Sequence, residues 1–247
     1  MLWSDLRFHF KQVFVGGYRY LDRCGEFMLA AEREFSCIPK DARPIGGQME
    51  IPELGITIQV DARELAVSQE FPSADANDFF EITDGLAELS EKFFQPSGIH
   101  SNGYAKESFI PMTSVEASLK ASLALGGDFH SELAKTVGMP AAFKTIDYNF
   151  VAGKSELHLT VVPVTFEQKS TISYAAGFRT SELQKEQIDR KNKKNSRRSI
   201  QVDHALMMTV DLLELDPPQN ALKNHFQRVL AIDKALKESG LKTAPKK

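Results

Sequence analysis

Lys185, Arg190, Lys191, Lys193, Lys194, Arg197 and Arg198 crowd into one short stretch, offset only by Glu186 and Asp189. The segment carries +5 in a chain whose formal net charge is −3, so the remainder stands at −8. Cations at this density are the residue type that neutralises phosphate oxygens, and several such contacts give affinity that falls steeply with salt and reads no sequence. The same charges suit an acidic protein surface or a solvated connection between two strands. No aromatic residue occurs from Thr180 to Arg198, so base stacking within the segment is excluded.

Other chemistries have less behind them. The histidines at positions 9, 100, 130, 158, 204 and 225 include no pair at the i, i+4 spacing that holds a metal from one helix. His158 shares a strand face with Glu156 and Thr160, the composition of an exposed polar face. Glu167-Gln168-Lys169 matches the acidic-x-Lys element of metal-dependent nucleases, with Asp147 on the preceding strand. A hairpin turning near Gly153 sets Asp147 opposite residue 159, which leaves Glu167 about 26 Å away along the strand, too far for one metal ion. Asp203 and Asp211 share a face at a similar separation.

No serine sits in a G-x-S-x-G elbow, and the doublets Gly16-Gly17 and Gly46-Gly47 read as turns and match no phosphate loop. The sequence therefore nominates no catalytic residue, no metal ligand and no cofactor. An active site assembled from distant residues stays open. Cys24 and Cys37 match neither a redox pair nor a zinc knuckle and read as reduced thiols.

The elements that must hold the basic segment follow from local pattern. Ser181 and Gln184 form a capping box, predicting a helix from Glu182 to about Lys194 with the cations on its last turns. Only Leu183 and Ile188 are large apolar residues there, so the helix reads as a projecting arm rather than a core element. Strands are predicted on either side, over Thr171–Tyr174 and Ser199–Leu215.

Upstream, Leu6, Phe8 and Phe10 alternate with Arg7, His9 and Lys11 as in a half-buried strand. Leu21, Cys24, Met28, Ala31 and Phe35 predict a helix ended by Pro39. ITIQV and LAVSQEF flank Asp61–Glu64 as a hairpin, and Phe79, Ile82, Leu86, Leu89 and Phe93 line a helix capped by Asn77 or Asp78 and closed by Pro96 and Gly98. With a strand over Tyr104–Ile110, residues 1–112 follow the β-α-β-β-α-β order of a ferredoxin-like split unit.

In the second half, Thr113 and Glu116 form a capping box ahead of a Val115, Leu119, Leu123 stripe, and Phe129, Leu133 and Val137 resume it after Gly126-Gly127. Ile146, Tyr148 and Phe150 pair back onto Leu157, Leu159 and Val161 around a turn at 152–155. Pro163 marks a bulge or an edge position. A final helix from Pro217-Pro218 to Gly240 presents Leu222, Phe226, Val229, Ile232 and Leu236 on one side, before a frayed tail at 241–247.

The fold class is α+β: an antiparallel sheet with amphipathic helices on one face, arranged as subdomains 1–112 and 113–240 or as one continuous layer. Apolar runs such as Ala205–Met208 fall far short of the roughly 20 residues that cross a bilayer, and the amino terminus lacks a secretory apolar centre, so a cytoplasmic protein is expected. The expected function is non-enzymatic: an assembly or adaptor protein that binds a protein partner or its own copies, with the basic arm reaching outward. RNA or DNA binding through the arm is the alternative, and a metal-dependent nuclease comes third.

Overall fold

The alternation in β1 (Ser4–Val15) sets the two faces of the whole molecule. Phe8, Phe10 and Phe14 are buried on one side while Arg7, His9 and Lys11 line the other. In the computed structural model, which describes residues 3–43, 46–70, 72, 77–123, 136, 145–174, 198–217 and 222–238, the chain continues as α1 (Tyr20–Phe35), β2 (Ile38–Arg43), β3 (Gly46–Ile51), β4 (Ile56–Val60), β5 (Glu64–Glu70), α2 (Asn77–Phe94) and β6 (Gly98–Met112). It then forms α3 (Val115–Leu123), β7 (Ile146–Ala152), β8 (Ser155–Tyr174), β9 (Arg198–Leu215) and α4 (Leu222–Glu238). The strands make one antiparallel sheet in the order β2-β3-β4-β5-β1-β6-β9-β8-β7. The fold is α+β.

The first 112 residues hold two strands more than the β-α-β-β-α-β expectation. IPKDAR and GGQMEI contain a proline and a glycine doublet, which read locally as breakers, yet they form β2 and β3 because α1 packs on them. Tyr20 donates from Oη to the Arg43 carbonyl at 3.2 Å, and a Cβ at Gly47 would stand 2.1 Å from Cε of Met28. Gly46-Gly47 is thus a strand start that admits the helix, and not a turn. β5 and β6 both run antiparallel to β1 and flank it, so α2 crosses over β1 to join them.

Other local readings shift by a residue or a face. The inward stripe of α1 starts at Tyr20, and Leu21 is 56% exposed. The amide of Ala117 donates to Ser114 Oγ at 3.1 Å, so Ser114 and not Thr113 caps α3. The buried residues of α3 are Ser118 and Ser122, with Ala121 against the core, while Val115 is exposed. Both serine hydroxyls bond to carbonyls of their own helix, which lets small side chains bring α3 close to the sheet. The β4–β5 hairpin forms without an Asn-Gly turn because Asp61 Oδ1 accepts from the amides of Arg63 and Glu64 at 2.6 and 2.9 Å. Phe129, Leu133, Val137, the Gly126-Gly127 doublet and the 241–247 tail lie outside the described residues.

The helices cover the face to which Phe8, Tyr104, Leu212 and Leu159 point. A large apolar cluster gathers under α1, α2 and the start of α4, and a smaller one joins Ile146, Leu159, Val161, Leu206, Met208 and Val210 beneath α3. Ile232 of α4 packs against both. Phe226, from the same helix, has its ring centroid 4.5 Å from Phe80, 5.6 Å from Phe10 and 6.4 Å from Tyr104.

This packing generates a test. Phe226→Ala is expected to lower the unfolding free energy by about 3–5 kcal/mol in a urea titration. Leu230→Ala, on the exposed side of the same helix, is expected to change it by about 0.5 kcal/mol or less. Equal effects would refute the docking of α4 described here.

Candidate functional site

The basic segment is joined to the sheet through its longest strand pair. β9 pairs with β6 from Leu215 opposite Ser101 to His204 opposite Met112. Its other side pairs with β8 as far as Arg198 opposite Tyr174. β7 leaves β8 at Val161. Among the described residues, then, Arg198–Val202 and Ser170–Tyr174 have only each other, and they form a two-stranded ribbon about 16 Å long beyond the sheet. The register slips between Thr165 and Ser170, where the stretch 166–169 of β8 stands against Asp203 alone.

Arg198 is the first residue of β9, at the far end of this ribbon. Lys185, Arg190, Lys191, Lys193, Lys194 and Arg197 lie outside the described residues, as does the helix expected after Ser181. Pro163 pairs in register with Leu206, past the last β7 pair, so among the described residues its other side is an edge.

The nuclease residues are not brought together. Asp147 pairs with Thr160, and Glu167 falls in the register slip seven residues further along β8, about 23 Å away. Asp147 instead meets His158, its Oδ1 being 2.7 Å from Nε2. This contact belongs to a polar row across the open face, where strand register aligns Ser68, His9, Ala105, Asp211 and His158. His9 Nδ1 is 2.9 Å from Ser68 Oγ. Burial, then Lys11 and Arg7, hold the His9 pKa below its ordinary value, so the ring is neutral at pH 7. Desolvation pushes the Asp211 carboxyl up. The row is a hydrogen-bonding surface facing solvent, flanked by the cross-strand pairs Arg7 with Glu70 and Lys11 with Glu64.

A second polar row lies on the helix-covered face. Gln12, Asn102, Glu214 and Ser155 stand side by side on β1, β6, β9 and β8. α4 closes over them. His225 Nδ1 is 3.0 Å from Glu214 Oε2, Arg228 pairs with the other carboxylate oxygen, and Arg228 also donates to Ser155 Oγ at 3.1 Å. His225 is fully buried, and its Nε2, with Asn102 Oδ1 and Gln12 Oε1, has no hydrogen-bond partner among the described residues. Burial drives the His225 pKa down more strongly than Glu214 raises it, so the folded protein keeps a neutral imidazole with a carboxylate on one side. The arrangement pins α4 to the sheet.

Sequence reasoning missed this row. One local signal was present: His225 and Arg228 stand three apart on the final helix and so share a face. Their partner Glu214 follows only from strand register. Among the described residues no group of three or more His, Cys, Asp or Glu side chains is placed to hold a metal ion, and no described helix is long and apolar enough to cross a membrane. Cys24 and Cys37 are free thiols, Cys37 buried with its pKa pushed up to about 11 by desolvation. No protein-family model and no curated protein matches this chain.

The buried imidazole gives a pH test with a definite sign. The unfolded chain takes up a proton near the ordinary value of 6.5 while folded His225 resists it, so stability is full above pH 6.5 and falls as pH drops below it. Urea midpoints measured from about pH 7.5 down to about pH 5, a window that brackets the ordinary value of 6.5, are expected to decline. His225→Gln is expected to flatten the decline in part, His9 retaining the rest. An unchanged slope in the variant would show that His225 is not the linked group.

Proposed function

We propose that this protein is a non-enzymatic, cytoplasmic assembly or adaptor protein that binds an acidic macromolecular partner through the basic segment 185–198. One observation supports this above the others: β8 and β9 outrun every described neighbour and deliver the chain, at Tyr174 and Arg198, to the segment where the cations are concentrated. The segment's +5 stands against a remainder of −8, a charge separation that suits an acidic partner. The two free thiols fit a reducing compartment.

RNA or DNA binding is the second reading, and the ribbon itself favours it. A two-stranded β-ribbon fits the major groove of duplex DNA, and the cations supply phosphate contacts. Polyglutamate and a mixed panel of single- and double-stranded nucleic acids separate the two by fluorescence anisotropy at low salt. The adaptor reading predicts tighter binding of polyglutamate, lost when Lys191, Lys193, Lys194, Arg197 and Arg198 become alanine. Tighter nucleic-acid binding that weakens steeply with salt and needs the same residues would establish the second reading instead. Binding of either probe that survives the alanine substitutions would refute the role given to the arm.

A further inference from the structure

The two edges of the sheet are built differently. β2, at one end, carries Pro39, Lys40, Asp41 and Arg43 and breaks register between Pro39 and Asp41, the features that keep an edge strand from pairing with another chain. β7, at the other end, lacks the proline, the cations and the register break. Its sequence IDYNFVA contains no proline and no cation, and it pairs with β8 in unbroken register. Its one charged residue, Asp147, is 2.7 Å from His158 of the neighbouring strand. Tyr148, Phe150 and Val151 are 50%, 53% and 64% exposed. Among the described residues β7 has one partner strand.

We propose that β7 is the edge through which two copies of this chain join their sheets, antiparallel and centred on Asn149. The register follows from the hairpin. Ala152 and Ser155 close a two-residue turn in which Gly153 has φ +63, so Ala152 with Ser155 is a hydrogen-bonded pair, and bonded pairs recur at Phe150, Tyr148 and Ile146. The residues between them, Asp147, Asn149 and Val151, therefore aim their amides and carbonyls away from β8. This set is symmetric about Asn149. Two antiparallel copies place Asn149 opposite Asn149 and Asp147 opposite Val151, and every outward group meets a partner.

The side chains agree with that register. Tyr148 falls opposite Phe150 of the second copy in non-bonded pairs, where cross-strand side chains approach most closely. Within one copy these rings already lie 5.9 Å apart, so the pairing builds one four-ring cluster from two half-exposed pairs. The two-fold axis stands perpendicular to the sheet, which keeps all helices on one face and sends the two ribbons off opposite ends of the joined sheet. The proposal does not rest on what the arm binds.

Light scattering across a concentration series tests it. The expected mass is twice 27.6 kDa. Asn149→Pro removes an outward amide without touching the β8 ladder, and it is expected to give monomer with an unchanged far-ultraviolet spectrum. Asn149→Lys and Asn149→Asp each set like charges face to face on the axis and are expected to give monomers, while an equimolar mixture of the two restores the dimer. The alanine substitutions in the arm leave the mass unchanged. Wild-type protein at 27.6 kDa throughout, a dimer that survives all three Asn149 variants, or a charge-swapped mixture that stays monomeric overturns the proposal. Should Asn149→Pro fail to fold, the charge pair decides alone.

Discussion

β9 pairs with two strands at once, and the rest of the structure depends on that double pairing. On one side β6 holds it to the first half of the chain, and on the other β8 ties in the second. Leu212 sits in the larger apolar cluster while Val210, Met208 and Leu206 sit in the smaller one, so a single strand threads both. Its last turn of residues offers Glu214 to α4, and its first residues run out past β6 toward the basic segment. Core, the latch at Glu214 and the ribbon are three stretches of one strand.

The latch stores an imbalance. An unpartnered buried polar group costs about 1–3 kcal/mol, and His225, Asn102 and Gln12 each have one atom without a partner among the described residues. What keeps α4 down regardless is the apolar anchor beside them, Phe226 among Phe10, Phe80 and Tyr104, together with the bonds of His225 and Arg228 to Glu214. A helix held by a strong apolar contact next to an imperfect polar one is placed specifically, because a shift along its axis would lose the Glu214 pairs. Within the sheet, Lys106 is buried 3.1 Å from Asp5 and over the ring of Phe8, so its charge is partnered.

Local period made much of this fold legible. Phe8 to Phe14, ITIQV, Phe79 to Phe93 and Leu222 to Val229 announce their elements because each meets the core on one face, which stamps a period of two or 3.6 on the sequence. IPKDAR and GGQMEI carry no such stamp: β2 is an edge strand, and β3 makes room at Gly47 for Met28 of a helix some twenty residues away. α3 misled because its packing face is serine and alanine, chosen for closeness and not for hydrophobicity. The polar rows stayed hidden for a different reason. Asn102 beside Glu214, or Ala105 between His9 and Asp211, is a fact of register between strands about a hundred residues apart, and no window of sequence contains it.

Hydrogen exchange along β9 tests the central claim most directly. The account predicts that amides from His204 to Glu214, flanked on both sides, exchange only with global unfolding, and that the paired amides of Arg198–Val202 and Ser170–Tyr174 exchange faster than these yet well below the rate of a free peptide. Free-peptide rates from Arg198 to Val202 would contradict it, because the basic segment would then have no ribbon to carry it.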